Sequence, residues 1–112
     1  MLRAEGKKII MDEGDYGLSL PFKLSGNNIL ITDTIKFKIK KNIYDEEEAI
    51  IEKEFTNLSE EDGVIVFSLD FTKNDSNKLT ANKYHYGLKQ YRNGEFLNTI
   101  IKDGDFEVEK GV

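Results

Sequence analysis

The most regular pattern in the chain is an alternation of apolar and polar residues between positions 62 and 94. The apolar positions on one side of this pattern are Ile65, Phe67, Leu69 and Phe71, followed after a polar passage by Tyr84, Tyr86 and Leu88. A period of two is typical of strands with one buried face. Asn93-Gly94 then supplies the dipeptide that best tolerates the positive φ angles of a tight hairpin. Two strands, a short corner and a hairpin are the middle of an immunoglobulin-like sandwich.

A second alternating segment covers residues 34–41 and is followed by an acidic turn and a returning segment at 49–57. The register we predict for this hairpin joins Ile39 to Ile51, Ile35 to Phe55, Lys38 to Glu52 and Lys36 to Glu54. Apolar residues then meet on one face and opposite charges meet on the other. This agreement between the two faces favours a real hairpin.

Three further segments supply the remaining strand candidates. Residues 7–11 form a short apolar segment, and residues 18–24 alternate around Pro21. Because proline cannot donate a ladder hydrogen bond, the strand that contains it is expected at a sheet edge or at a bulge. The last segment runs from Phe96 to Glu109, either as one bent strand or as a hairpin around Asp103-Gly104, and the sequence leaves both options open.

Helical signals are few. Thr72 and Asp75 have the spacing of a helix-capping pair. Residues 58–63 are predicted as a loop, in which Ser59 followed by two glutamates leaves a single helical turn as an option. With about seven strand candidates, we predict one all-β domain over residues 1–112, an immunoglobulin-like antiparallel β-sandwich. Its predicted core consists of Leu20, Phe22, Ile35, Phe37, Ile39, Ile65, Phe67, Leu69, Tyr86, Leu88 and Phe106.

Composition narrows the function. The chain has 112 residues and a net charge of −5, which disfavours nucleic acid as a partner because phosphates are repelled by an acidic surface. It contains no cysteine, so disulfides, thiol catalysis and thiolate metal sites are excluded. The only apolar run near the N-terminus is three residues long, too short for a signal peptide or a membrane anchor. We expect no signal peptide and no membrane partner.

The polar clusters do not indicate catalysis. Acidic residues cluster at 12–15, 45–48 and 103–105, but none of these clusters has the spacing of a calcium loop, and we interpret them as solvated turns. His85 is the only histidine, and no nucleophile motif accompanies it. We therefore predict that the protein is not an enzyme and has no catalytic residues, cofactor or metal.

Lysines and tyrosines offer two possible binding surfaces. The lysines at 36, 38, 40 and 41 suggest a polyanion site, but the glutamates opposite them favour a purely structural role. Tyr84 is interpreted as a tyrosine corner, whose hydroxyl bonds to the preceding passage, and Tyr86 as a core residue. Tyr91 with Phe96 across the turn remains open as an aromatic platform for a sugar or a partner protein.

Several segments resemble the N-terminal domain of phage baseplate upper proteins and related tail proteins. The resemblance starts with a strand and G-D-Y-G-L-x-L-P-F, and continues through D-T-I-K-F-K-I, D-G-V-I-V-F-S-L and K-Y-H-Y-G-L to a closing G-D-F-E-V. The matching pieces are Gly14-Asp15, Asp33–Ile39, Gly63–Leu69, Lys83–Leu88 and Gly104–Val108. The resemblance implies an immunoglobulin-like module for tail or virion assembly, with no activity of its own, located in the virion or the bacterial host cytoplasm.

The sequence therefore supports a non-enzymatic phage or prophage structural module that acts through protein–protein contacts, with other phage proteins or a second copy as partner. The alternative is a small carbohydrate-binding or adhesion module that uses Tyr91. Exposed strand edges recruit partners, and the segment from Phe96 to Ile101 is rich in apolar and β-branched residues. The predicted interaction surface is Tyr91, Phe96, Leu97, Thr99 and Ile101.

Overall fold

Two β-sheets pack face to face in the computed structural model, which describes residues 2–25, 28–42 and 49–111, with backbone alone at residues 3–5. The strands are β1 (Arg3–Glu5), β2 (Lys8–Asp12), β3 (Ser19–Leu24), β4 (Thr34–Lys40), β5 (Ile51–Phe55), β6 (Ser59–Glu61), β7 (Val64–Asp70), β8 (Asn82–Arg92) and β9 (Glu95–Glu109), and the helix α1 is Lys73–Asn77. The larger sheet has the order β1-β2-β9-β8-β4-β5, and the smaller has the order β3-β7-β6. The all-β sandwich predicted from the sequence is confirmed, with nine strands among the described residues in place of about seven.

The strand order matches the immunoglobulin arrangement, in which strands B and E share one sheet and strands C, F and G share the other. Here β3 and β7 take the places of B and E, while β4, β8 and β9 take those of C, F and G. One feature corrects the antiparallel prediction, because β2 pairs with β9 in parallel. The short apolar run of β2 fits either direction of pairing, so the sequence pattern does not reveal it.

The register predicted for the β4–β5 hairpin is confirmed at all four pairs. The turn predicted at Asn93-Gly94 is also present, with φ angles of 54° and 80° at its two central residues. Pro21 lies on β3, an edge strand of the smaller sheet, and faces Ser68 of β7. The acidic segment at 45–48 falls outside the described residues.

The cap predicted at Thr72 is confirmed, whereas the segment predicted as a loop around Ser59 contains a short strand. Thr72 caps α1, since its hydroxyl accepts from the Asp75 amide while the Asp75 carboxylate accepts from the Thr72 amide. Ser59, in contrast, begins the short strand β6. The reason is the pair Asp62-Gly63, which has positive φ angles of 51° and 79° and turns the chain directly into β7.

The core lies between the sheets and contains the predicted residues with one exception. Phe22 is half-buried because it lies on the edge strand β3, where it stacks on Phe67 with ring centroids 5.2 Å apart. The structure adds Phe71, which packs edge-on against Phe106 at 5.7 Å and is almost completely buried. Within the described ranges, the short α1 is the only helix, and no helix there is suited to cross a membrane.

The final segment is one bent strand, which decides between the two options that the sequence left open. β9 pairs with β8 along its length, with register shifts near Gly87, between Leu88 and Lys89, and between Gln90 and Tyr91. Such bulges bend and twist a strand without ending it. Gly104 lies at the bend, where an added Cβ would overlap the ring of Tyr86. The residues of β9 after the bend have strands on both sides, whereas those before it have β8 on one side only.

Candidate binding surfaces

The strand β9 has two halves with different surroundings. Residues 104–109, here called the closed half, lie between β8 and β2, which pairs with Phe106–Glu109. Residues 95–103, here called the open half, pair with β8 on one side only, and no other described strand pairs with them. Their outer backbone groups are therefore available to another strand.

The open half also carries exposed apolar side chains. Phe96 is 56% exposed and Leu97 is 48% exposed, and Thr99 is exposed as well. Ile101 departs from the prediction, because it is half-buried and packs against the core together with Ile100. The physical reason is the bulge in this part of β9, which turns both isoleucines partly toward the core.

Tyr91 and Phe96 meet across the hairpin as predicted, with ring centroids 5.8 Å apart in an edge-to-face arrangement. The Tyr91 ring is half-buried, and the ammonium of Lys36 lies 4.4 Å from its centroid. Lys89 lies 5.6 Å from the Phe96 centroid. Because a cation already covers the face of Tyr91, Phe96 is the more accessible ring for a partner.

A buried carboxylate braces the turn end of this hairpin. Asp33 is completely buried and accepts hydrogen bonds from the Leu30 amide at 2.9 Å, Gln90 Nε2 at 2.8 Å, and Arg92 Nε and Nη2 at 2.9 and 3.0 Å. The side chains of Gln90 and Arg92 also donate to the carbonyl of Asn28. The network joins the end of β8 to the loop before β4, and thereby fixes the point where the open half begins.

The same network sets the ionisation of Asp33. The hydrogen bond from Arg92 is the main influence, and with those from Leu30 and Gln90 it outweighs burial and holds the pKa of Asp33 well below its ordinary value. Sequence reasoning missed this cluster, because Asp33 and Arg92 are 59 positions apart and no periodic pattern connects them.

The tyrosines at the other end of β8 have the predicted structural roles. The Tyr84 hydroxyl donates to the Thr80 carbonyl at 2.9 Å, which is the tyrosine-corner contact. Tyr86 is buried and donates to the carbonyl of Lys7, which ties β8 to the chain just before β2. Burial, reinforced by the nearby charge of Asp105, raises the pKa of Tyr86 to about 12. Neither ring is available as a platform.

A basic depression lies on the larger sheet, with a volume of about 490 Å³. Five lysines, His85 and Gly87 are among the residues that line it. We call this surface the basic face, and its lysines are Lys36, Lys38, Lys40, Lys89 and Lys102. Gly87 is opposite Lys38 in the β4–β8 ladder, and the register of β8 with β9 shifts beside it.

The ion-pair contacts expected between this lysine row and the glutamates opposite it are not present among the described residues. Lys38 is opposite Glu52 and Lys36 is opposite Glu54, yet neither pair comes within 4.0 Å, and the other lysines of the basic face also have no ion-pair partner among the described residues. Exposed ion pairs gain little in water, so long side chains have little reason to remain in contact.

His85 is half-buried at the rim of the basic face, as expected for a rim histidine. Its Nδ1 is 2.9 Å from Asp103 Oδ1, and no hydroxyl in the described part of the chain is hydrogen-bonded to the ring. The described residues contain no group of three or more His, Asp and Glu side chains placed to hold a metal ion. The arrangement therefore offers charge and shape for binding rather than an assembled acid–base–nucleophile set.

A second ion pair protects the opposite edge of the larger sheet. Lys53 of the edge strand β5 is 2.7 Å from Asp75 of α1, and its ammonium also lies 5.6 Å from the Phe71 ring. Burial alone would raise the pKa of Asp75, but the hydrogen bonds from Lys53 and Thr72 lower it. A partly buried charge on an edge strand opposes pairing with another strand. Lys53 therefore protects β5, and the open half of β9 has no buried charge of this kind among its described residues.

No family model matches the chain, and no curated protein matches it.

Proposed function

We propose that this protein is a non-enzymatic structural module of the phage tail or baseplate type, which assembles through protein–protein contacts at the open half of β9. The observation that supports this best is the unpaired outer edge of residues 95–103, which carries Phe96 and Leu97 in exposed positions. Strand addition to such an edge supplies backbone hydrogen bonds, and exposed apolar side chains supply contact area. The tail assignment itself rests on the sequence resemblance.

The docking edge is well prepared for a partner. The Asp33 network holds the turn end of the β8–β9 hairpin in one position, so little conformational freedom is lost there on binding. The other edge of the larger sheet carries the inward-pointing charge of Lys53. This difference directs association to one edge, which suits an assembly protein that has to join neighbours in a defined order.

The test combines light scattering with a search of assembled particles. The isolated chain is measured over a wide concentration range, together with a Phe96→Lys/Leu97→Lys double variant and the control Tyr16→Lys, since Tyr16 is exposed to a similar extent (54%) away from the hairpin. In parallel, purified tail particles from an induced host that encodes the chain are searched for it by mass spectrometry. We expect the wild type and the control to self-associate or enter particles, and the double variant to do neither.

A strictly monomeric wild-type chain that is also absent from tail particles contradicts the proposal. Equal behaviour of the double variant and the wild type in particles contradicts the choice of this edge. A sugar-binding role, the alternative from the sequence, is tested on a glycan array with Tyr91→Ala, and binding lost in that variant would replace assembly as the proposed function.

A further inference from the structure

We propose that the basic face is a second binding site, which takes an extended acidic peptide segment whose carboxylates occur at alternate positions. The site lies on the face of the larger sheet and adjoins the open half, since Thr99, Ile101 and Lys102 line it, but binding there does not depend on the assembly role. The first argument is charge. On a chain with a net charge of −5, five lysines surround one depression, and none has an ion-pair partner among the described residues.

The spacing of the lysines indicates the form of the ligand. Lys36, Lys38 and Lys40 alternate along β4, so their Cα atoms are about 7 Å apart, given a rise of about 3.3 Å per residue in a strand. Carboxylates at every second residue of an extended peptide have the same repeat. A peptide that lies along β4 can therefore place successive carboxylates beside successive lysines.

A glycine of β8 lies among the residues that line the depression. Gly87 lies beside Lys38 in the ladder and has no side chain, and a Cβ there would be 3.3 Å from the Ile101 carbonyl. The register of β8 with β9 shifts beside Gly87, and bulges of this kind often occur next to binding sites. The depression, with a volume of about 490 Å³, suits a few residues of extended chain rather than a large ligand.

Acidic residues limit the direction in which the ligand runs. Glu52 and Glu54 lie on β5, directly beyond β4, and Asp103 lies on β9 at the other side. A polyanion that crosses the strands meets these carboxylates within one Debye length, about 8–10 Å. A short segment that follows β4 keeps its carboxylates over the lysine row, whereas a polyanion that crosses the strands lies directly over Glu52, Glu54 or Asp103, which is why we favour an acidic peptide over nucleic acid.

The test uses fluorescence anisotropy with a short labelled peptide of alternating Glu and Thr. A peptide of the same composition with its glutamates in one block, and an oligothymidylate, serve as comparison ligands. The variants are Lys38→Glu and Lys40→Glu, and Lys23→Glu is the matched control, because Lys23 is an exposed lysine on β3 of the other sheet. Urea unfolding confirms that each variant folds.

We expect the alternating peptide to bind more tightly than the blocked one, and more weakly as NaCl is raised. Lys38→Glu and Lys40→Glu should each weaken binding by about tenfold, since each removes one attraction and adds a repulsion, while Lys23→Glu should stay within about twofold. A Leu97→Gln variant, which removes an apolar side chain of the open half without adding charge, should bind the alternating peptide as the wild type does, because Leu97 does not line the depression.

Three results overturn the inference. Equal affinity for the alternating and blocked peptides shows that spacing is not recognised. Tighter binding of oligothymidylate assigns the face to a nucleic acid. Loss of peptide binding in the Leu97→Gln variant, with folding intact, places the peptide at the edge of β9 rather than on the basic face.

Discussion

The two halves of β9 belong to one strand but have different surroundings. In the closed half, Phe106 and Val108 alternate with polar residues, and both are buried between the sheets. In the open half, neighbouring side chains such as Phe96 and Leu97 are both exposed, although the sequence there is at least as apolar. Burial along this strand therefore follows the presence of a neighbouring strand, because β2 pairs only with the closed half.

The largest expected difference between the halves concerns two phenylalanines. Phe106→Ala removes a completely buried ring that packs on Phe71, and should lower the free energy of unfolding by about 3–5 kcal/mol. Phe96→Ala truncates a mostly exposed ring and should change it by no more than about 0.5 kcal/mol. Urea unfolding of both variants measures this contrast. Similar losses in the two variants mean that the open half is as well packed as the closed half.

Removing the Asp33 carboxylate should destabilise the turn end of the β8–β9 hairpin. Asp33→Ala removes one of the two acceptors of the buried Gln90 amide and the carboxylate partner of Arg92, which is partly exposed and can be rehydrated. We expect a loss of about 2–3 kcal/mol in the free energy of unfolding. Amide exchange should also become faster in the peptide that covers residues 90–97. A stability loss without faster exchange there argues against the network as the brace of the open half.

The same residue predicts a pH dependence. Because the folded state depresses the pKa of Asp33 below its ordinary value of 3.8, the stabilisation is complete above that value and is lost as the pH falls below it. Wild-type protein should therefore lose more stability on acidification through that range than Asp33→Asn, which has no carboxylate to protonate. Thermal unfolding of both proteins at neutral and acidic pH tests this. Parallel pH profiles contradict the assignment.

A smaller effect is expected at the tyrosine corner, which braces β8 opposite the closed half, where Tyr84 pairs with Phe106. Tyr84→Phe removes the hydrogen bond to the Thr80 carbonyl and should cost about 0.5–1.5 kcal/mol in the free energy of unfolding. The denaturant midpoint gives the answer. An unchanged midpoint shows that water replaces the lost contact without cost.

Local patterns predicted much of this molecule. The β4–β5 register, the Asn93-Gly94 turn and the Thr72 cap each follow from residues close together in sequence or from two patterns that agree. The β2–β9 pairing and the Asp33 network join distant segments, and neither leaves a periodic signal. The prediction that glutamates neutralise the lysine row was right about register but wrong about contact, because facing positions do not hold exposed side chains together.

The central claim, that the open half of β9 is an available edge, is tested most directly by amide hydrogen exchange. In dilute solution, the peptide covering residues 95–103 should exchange much faster than the one covering 104–109, because its outer backbone groups have no partner. Self-association at high concentration, or incorporation into tail particles, should slow exchange in the first peptide and leave the second unchanged. Equal protection of both peptides in the dilute monomer contradicts the account.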